Sequence, residues 1–200
     1  MKRVGIFSGT FDPVHEGHIE FAKEAAANYG LDRVFLLVEP RPRRKQGVRA
    51  LEHRVEMVKR AIAHEPKLGL IILEQARFNV VETLPVLEAR FPHTQLYMLM
   101  GEDGLSHLAH WPQIEQLVPK VHFIIGMRKH NQGEVKRRIK VAEQVRGIKV
   151  QYEVFRPLHN DYASTAIRLQ LKRGHEPTGL HPRVYKYIQA EGLYAPSDLE

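Results

Sequence analysis

Two histidines near the start of the chain are spaced so that they could bind one anion together. They belong to the segment SGTFDPVHEGH at residues 8–18, which follows a short apolar run and precedes a stretch of helical period. His15 and His18 are three positions apart, so both imidazoles can face the same group from the first turn of a helix. Gly9 lets backbone amides approach a phosphate closely, and the helix N-terminus adds unpaired N–H groups and a positive dipole end. Gly17 leaves space for a nucleotide, so the segment predicts a phosphate-binding loop.

The same histidine pair allows two other interpretations. It could be an ordinary solvated start of a helix, or it could be half of a metal site. A zinc site needs a third protein ligand at a suitable spacing, and nothing near residues 15–18 has the form of a known zinc signature. The sequence therefore favours a phosphate site, and we expect no metal ligand among the side chains.

A second anion-binding segment is predicted near the other end of the chain. The sequence YASTAIR at residues 162–168 opens a predicted helix with two hydroxyl residues, Ser164 and Thr165. Hydroxyl groups and free amides at a helix N-terminus can hold an anion, and Arg168 adds a forked cation that suits phosphate oxygens. The alternative for Ser164 and Thr165 is ordinary helix capping.

These segments resemble the paired signatures of the nucleotidylyltransferase superfamily. Residues 9–18 are similar to its T/HxGH signature, and residues 162–168 are similar to its ISSTxIR motif. Three more stretches resemble bacterial nicotinate-nucleotide adenylyltransferases: a GxDxLxxLxxW segment at 101–111, an EHRxxM helix at 52–57, and a closing helix with a Gly-Leu-Tyr end at 180–194. The likeness runs from about residue 3 to about residue 194.

The resemblance implies an adenylyltransferase that moves AMP from ATP to nicotinate mononucleotide, giving nicotinate adenine dinucleotide and pyrophosphate in NAD biosynthesis. The implied ATP-binding residues are Ser8, Gly9, Thr10, Phe11, His15, Gly17, His18, Gly101, Asp103, Ser164, Thr165 and Arg168. The implied catalytic residues are His15, His18, Lys45 and Arg168, and the implied mononucleotide contacts are Thr83, Trp111 and Lys45. Trp111 would stack on the pyridine ring, which suits two flat rings. Its alternative role is a partly buried anchor between a loop and a helix.

The chain departs from that family's pattern in two places. Where the family usually has Pro-Pro-His-Lys, residues 42–45 read PRRK, so Lys45 keeps its charge while the role of Arg43 and Arg44 stays open. Where the family has Tyr-Thr-x-Asp-Thr, residues 79–83 read NVVET, and only Thr83 is retained. The choice between nicotinate and nicotinamide mononucleotide rests on a few hydrogen bonds, so the sequence leaves it open.

The implied reaction is in-line attack of the mononucleotide 5′-phosphate on the α-phosphorus of ATP. A phosphate is already an ionised nucleophile, so catalysis reduces to alignment and charge stabilisation, with His18 nearest the α-phosphate. Mg²⁺ is expected to arrive with ATP and to be held by phosphates and water, because the motifs show no carboxylate cage. Asp12 is a candidate outer-sphere contact of that Mg²⁺ ion.

The elements that must position these residues alternate along the chain. Six nearly continuous apolar runs predict strands covered on both faces of a sheet: residues 4–7, 34–38, 70–73, 96–100, 121–125 and 148–152. Helical periods predict helices at residues 18–27, 52–64, 80–90, 164–172 and 182–190. Gly174 and Gly192 are plausible stops for the last two.

This order predicts an α/β fold, a Rossmann-like doubly wound parallel sheet with a C-terminal helical tail, whose ligands lie outside the C-terminal ends of the strands. We expect a single nucleotidylyltransferase domain over residues 1–200, with an α/β core at 1–155 and a helical C-terminal part at 156–200.

The composition limits the compartment and the cofactors. The 200 residues contain no cysteine, which excludes disulfides, thiolate nucleophiles and Cys-ligated zinc. The start does not look like a signal peptide, and no run approaches the roughly 20 apolar residues that cross a bilayer. A cytoplasmic protein without a membrane partner is expected, and a homo-oligomer is left open.

The net charge of +7 leaves two rivals to weigh. A basic nucleic-acid-binding module that kept a nucleotide fold without turnover is suggested by the runs at 41–45 and 136–138, but Glu134 and Glu143 flank the second run as on any exposed helix. The aromatic residues lie mostly in apolar runs, which argues against a nucleic-acid partner. A cytidylyl- or phosphopantetheine-type nucleotidyltransferase shares the histidine loop, residues 8–18, but Trp111 and the chain length argue against it.

Overall fold

The computed structural model describes residues 1–42, 46–105, 107–128, 132–159 and 161–195. The strands in this part of the chain are β1 (Lys2–Gly9), β2 (Arg33–Val38), β3 (Leu68–Ile72), β4 (Thr94–Gly101), β5 (Val121–Gly126) and β6 (Tyr152–Phe155). They form one sheet in the order β3-β2-β1-β4-β5-β6, and every neighbouring pair runs parallel. This strand order is that of a Rossmann-like sheet, so the predicted fold class is confirmed.

Helices cover both faces of the sheet. The described helices are α1 (Glu16–Asn28), α2 (Leu51–Ile62), α3 (Val80–Arg90), α4 (Glu102–Leu105), α5 (Ile114–Leu117), α6 (Gln132–Arg146), α7 (Ser164–Lys172) and α8 (Pro182–Ala190). In β1, Phe7 packs into a core shared with α1, α2 and α8, whereas Ile6 packs into a core shared with α3 and α6. Successive strand residues thus face opposite layers, which explains why the strands read as unbroken apolar runs.

The C-terminal helices pack on the same core as the first half of the chain. Ile167 of α7 and Val184 and Ile188 of α8 are buried in one cluster with Phe7. The predicted bounds of α3, α7 and α8 agree with the structure. Within the described ranges, no helix combines the length and the apolar character needed to span a membrane.

One predicted strand was wrong. The run at 148–152 lies mostly before β6 and forms the turn after α6, where the N–H groups of Ile148 and Val150 bind the backbone oxygen and the carboxylate of Glu143. Val150 is buried, so this turn carries the apolar signal of a strand without pairing as one. The strand itself begins at Tyr152.

The strand order places a crevice between β1 and β4. These neighbouring strands continue into helices on opposite faces of the sheet: α1 after β1 packs in the cluster of Phe7, and α4 after β4 packs in the cluster of Ile6. Ligands of doubly wound sheets bind at such a switch point. The C-terminal residues of the two strands, Gly9 and Gly101, both line a cavity there.

Candidate active site

Two adjoining pockets lie at the C-terminal ends of β1 and β4. The first has a volume of about 470 Å³ and the second about 480 Å³. His18, Asp103, Arg128 and Ser164 line both, so the pockets form one crevice. Each volume is within the range of small-molecule sites, and together they could hold two nucleotides.

The histidine loop forms the wall between β1 and α1. His15 precedes the first turn of α1, and its backbone N–H donates to Nδ1 of His18 over 3.2 Å. The two imidazole rings stack with centroids 3.6 Å apart at 24°. The structure therefore brings both predicted histidines to one place, at the lining of the second pocket.

His15 carries no positive charge at neutral pH, unlike a cation that binds phosphate. It is 1% exposed, and burial together with the nearby charge of Arg128 lowers its pKa from 6.5 to about 3. Neither ring nitrogen has a hydrogen-bond partner within the described part of the chain. A neutral imidazole carries one N–H donor, so His15 can give a ligand oxygen a hydrogen bond but no positive charge.

Close packing accounts for two of the predicted glycines. A Cβ at Gly9 would lie 2.7 Å from the ring of Phe11, which itself has a positive φ of 50°. A Cβ at Gly17 would lie 2.7 Å from the carbonyl oxygen of His159. Gly17 thus makes room for the chain before α7 as well as lining the first pocket.

The second predicted segment is bound directly to the histidine loop. The Ser164 hydroxyl donates to the carbonyl oxygen of Pro13 over 3.0 Å, and Arg168 donates to that of Asp12 over 2.7 Å. Arg168 also donates to the Thr165 hydroxyl over 3.3 Å. The two segments that resemble the superfamily signatures therefore form one site.

The Asp12 carboxylate is occupied in a way that the sequence did not predict. Asp12 is buried, and the hydroxyl of Tyr194 donates a hydrogen bond to it. Burial, followed by the negative charge of Asp12, raises the pKa of Tyr194. This carboxylate, which also lines the second pocket, thus links the histidine loop to Tyr194, and its outer-sphere magnesium role stays a prediction.

Arg54 joins the loops that follow β1 and β2. Its fully buried guanidinium donates to the carbonyl oxygens of Thr10, Glu39, Pro40 and Arg49 over 2.8–2.9 Å. A rigid fork with five donors can bind several carbonyls at once, which a lysine cannot do. The EHRxxM stretch thus contributes an arginine that holds the floor of the crevice.

Trp111 lines the first pocket. It follows a 3-10 turn (Leu108–His110) and is partly buried, with its ring centroid 6.2 Å from that of Phe78. Asn79 and Val80 line the same pocket. An aromatic corner with neighbouring polar groups is suited to a flat heterocycle.

Comparisons with known proteins identify the family. The family model described as cytidylyltransferase-like matches residues 6–170. The chain is 34% identical over 203 residues to the probable nicotinate-nucleotide adenylyltransferase of Gloeobacter violaceus, and the match covers 96% of each protein. The chain belongs to the nicotinate-nucleotide adenylyltransferase family.

One further relative agrees with this assignment, and one solved structure shares the fold. The nicotinate-nucleotide adenylyltransferase of Bacillus subtilis is 32% identical, with 97% of this chain and 99% of that protein covered. The structure of Plasmodium falciparum nicotinic acid mononucleotide adenylyltransferase complexed with NaAD superposes with a TM-score of 0.79, at 19% identity and with 97% and 98% of the two chains covered. That last likeness shows the shared fold.

Most residues that the family resemblance implied line the crevice. Those found there are Ser8, Gly9, Thr10, Phe11, His15, Gly17, His18, Gly101, Asp103, Trp111, Ser164, Thr165 and Arg168. Lys45 lies outside the described residues, as do Arg43 and Arg44. The binding roles of the whole set stay predictions.

Thr83 does not lie where a substrate contact should be. It is fully buried inside α3, and its hydroxyl accepts the backbone N–H of Asn79 over 3.1 Å. Because the side chain stabilises the start of the helix, the expected contact with the mononucleotide is not supported. Asn79 and Val80, which precede it, line the cavity instead.

Arg128 is a crevice residue that sequence reasoning missed. It follows β5, lines both pockets, and lies 4.0 Å from the carboxylate of Asp103. A cation directly after an apolar strand of a parallel sheet was a usable signal, because the C-terminal strand ends face the ligand. The nicotinate-nucleotide adenylyltransferase site thus contains an arginine at the junction of its two pockets.

Proposed function

We propose that this chain transfers the AMP unit of ATP to nicotinate mononucleotide, forming nicotinate adenine dinucleotide and releasing pyrophosphate. The observation that carries the proposal is one crevice with a cationic, hydroxyl-rich end and an aromatic end. The names of its relatives and the NaAD bound to the Plasmodium falciparum protein support the same reaction.

The ATP phosphates would occupy the second pocket. Ser164 and Thr165 open α7 and line this pocket, so the amides of the first helical turn would face the phosphates. Arg168 and Arg128 supply positive charge to phosphate oxygens there. His15 would donate a hydrogen bond in its neutral form.

The mononucleotide would occupy the first pocket, with its pyridine ring against Trp111. His18 lines both pockets and so lies near the place where the two substrates would meet. The roles of Lys45 in this scheme rest on the family resemblance alone.

The chemistry is a displacement at the α-phosphorus. A phosphate oxygen of the mononucleotide forms a bond to that phosphorus while the bond to the pyrophosphate oxygen breaks. The nucleophile is already ionised, so no side chain needs to remove a proton. The protein contributes alignment and stabilisation of charge on the transferred group.

We propose that Mg²⁺ enters with ATP. Two carboxylates line the phosphate pocket, but Asp12 accepts from Tyr194 and Asp103 is directed towards Arg128. Among the described residues no group of three or more His, Asp or Glu side chains could hold a metal. Phosphate and water oxygens would therefore bind the ion, which when present neutralises phosphate charge.

Nicotinamide mononucleotide is a second candidate acceptor, because of one observation. The pocket wall that follows Phe78 carries Asn79 and Val80 where the family usually has Tyr and Thr. An asparagine can bond a carboxamide as well as a carboxylate, so this position can change the preference.

The basic run at 136–138 gives little support to a nucleic-acid role. Arg137 and Arg138 both donate to the carboxylate of Glu134 one turn away on α6, at 2.8 and 2.9 Å. Such pairs are ordinary on an exposed helix. Cytoplasmic location and oligomeric state stay predictions from the sequence.

The test incubates the purified chain with ATP, Mg²⁺ and one of the two mononucleotides, and follows both pyrophosphate release and dinucleotide formation. Turnover with nicotinate mononucleotide supports the proposal, and turnover confined to the nicotinamide form replaces it with the second candidate. Turnover with neither acceptor overturns both. Arg137→Ala, whose side chain is 67% exposed on α6, is the control that should retain full activity.

A further inference from the structure

Arg146 ties the tryptophan segment, residues 108–117, to the end of α6. Its Nη1 donates to the carbonyl oxygens of Ala109 and Trp111, each over 3.3 Å. Its Nη2 binds the carboxylate of Glu115 over 2.6 Å. One guanidinium therefore contacts the segment on both sides of the tryptophan from a helix about 35 residues further along the chain.

The tryptophan segment needs such a support because no sheet pairing holds it. It consists of a 3-10 turn, an extended residue at Trp111, a left-handed residue at Gln113 with a φ of 51°, and the single turn α5. Leu108 at its start, and Ile114 and Leu117 in α5, anchor it in the core. Between those anchors, Trp111 is only partly buried and lines the open crevice.

We propose that Arg146 is a positioning residue for the mononucleotide site, which holds the Trp111 backbone so that its ring faces the pyridine. The inference rests on the proposed function, in which that ring contacts the mononucleotide. Stacking depends on the separation and tilt of two rings, so a small displacement of the backbone weakens it. Arg146 touches no substrate and acts through Trp111.

The Glu115 carboxylate orients the guanidinium. With one side of the planar fork bound to Glu115, the other side is directed at the two carbonyl oxygens. A lysine could pair with the carboxylate but has no second arm for the carbonyls. The geometry therefore distinguishes arginine from lysine at position 146.

The experiment measures the KM of nicotinate mononucleotide and the KM of ATP separately for the wild type, Arg146→Met and Arg146→Lys. Both variants should raise the mononucleotide KM about tenfold, which corresponds to losing roughly 1.4 kcal/mol of binding, and leave the ATP KM within about twofold. Arg138→Met is a matched control, because Arg138 is on the same helix with the same 26% side-chain exposure. It should change neither KM.

Fluorescence gives a second readout that general destabilisation would not mimic. Trp111 is the single tryptophan of the chain, so intrinsic emission reports this ring alone. Mononucleotide should quench the emission of the wild type, and Arg146→Met should need about tenfold more ligand for the same quenching. Equal rises of both KM values, or an unchanged mononucleotide KM and quenching curve, would overturn the proposal.

Two further variants keep the outcomes distinct. If Arg146→Met does not fold, Glu115→Gln takes its place in the test. This variant keeps Arg146 but weakens the bond that orients the guanidinium. An unchanged mononucleotide KM in that variant overturns the proposal. Trp111→Ala tests the proposed function itself. If Trp111→Ala leaves the mononucleotide KM unchanged, the stacking role fails; if it raises that KM while Arg146→Met does not, only the positioning role fails.

Discussion

Lowering the pH from about 8 to about 5 is expected to weaken the fold through His15, by an amount that follows from the environment of its ring. The ring is almost fully buried, and burial is the main cause that lowers its pKa from 6.5 to about 3, with the charge of Arg128 second. The other titratable side chains beside it are His18, stacked at 3.6 Å between centroids, and Tyr162 at 6.5 Å.

The sign follows from proton binding. Unfolded His15 takes up a proton near pH 6.5, whereas folded His15 does so only near pH 3, so between these values the unfolded state binds more protons. The free energy of unfolding therefore falls as the pH drops below 6.5. The loss is about 2 kcal/mol at about pH 5 and about 4 kcal/mol at about pH 3. At about pH 5 the loss depends almost entirely on the pKa of His15 in the unfolded chain, because folded His15 is still unprotonated there.

The assay is urea unfolding of the wild type and His15→Asn at both pH values. Titrating groups distant from His15 contribute equally to the two proteins, so the difference between their losses reports His15 together with its contact with His18. The wild type should lose about 2 kcal/mol more than the variant between about pH 8 and about pH 5. Equal losses, within about 0.5 kcal/mol, would show that the folded protein accommodates a charged His15, and the argument from burial would be refuted.

Three other substitutions test the site, one of them with a matched control variant. His18→Ala should lower kcat/KM about 100-fold, which corresponds to roughly 2.7 kcal/mol, because the ring lines the crevice. It should lower the free energy of unfolding by only about 1 kcal/mol, for the hydrogen bond that Nδ1 accepts from the His15 backbone; comparable losses in kinetics and in urea unfolding would contradict this. Tyr194→Phe should cost about 2 kcal/mol in urea unfolding, since the buried Asp12 carboxylate loses a donor. The control Tyr187→Phe loses a hydrogen bond to half-buried His53 and should lower the free energy of unfolding by about 1 kcal/mol or less. Equal losses in the two tyrosine variants would refute the special role of the bond to Asp12. Arg54→Met should lower the free energy of unfolding by about 3 kcal/mol or more, because four carbonyl oxygens lose their donor. An unchanged Tm would show that these hydrogen bonds do not stabilise the fold.

The sequence predicted the central strands well because burial on both faces leaves an unbroken apolar run. It failed at β6, an edge strand whose residues are exposed or half-buried. The turn with half-buried Ile148 and buried Val150 has a stronger apolar signal than the strand that follows it, so the prediction was placed too early.

The candidate site was predictable where its chemistry is local. The spacing of His15 and His18 and the start of α7 are properties of short segments, and the structure brings them together. The position of Arg128 and the carbonyl partners of Arg54 depend on how distant loops meet, which spacing cannot give. Thr83 was predicted to contact the substrate because the family's residue type is retained there. In the structure its side chain is buried and stabilises the start of its own helix.

The links to Asp12 have a consequence for protein synthesis. The histidine loop is synthesised before its partners, because Arg168 follows Asp12 by 156 residues and Tyr194 follows it by 182. At roughly 5–20 residues per second, the loop waits about 10–40 s for its last partner. A nascent chain therefore carries both histidines well before it can hold them in place, and the loop is fully supported only after residue 194 has been made.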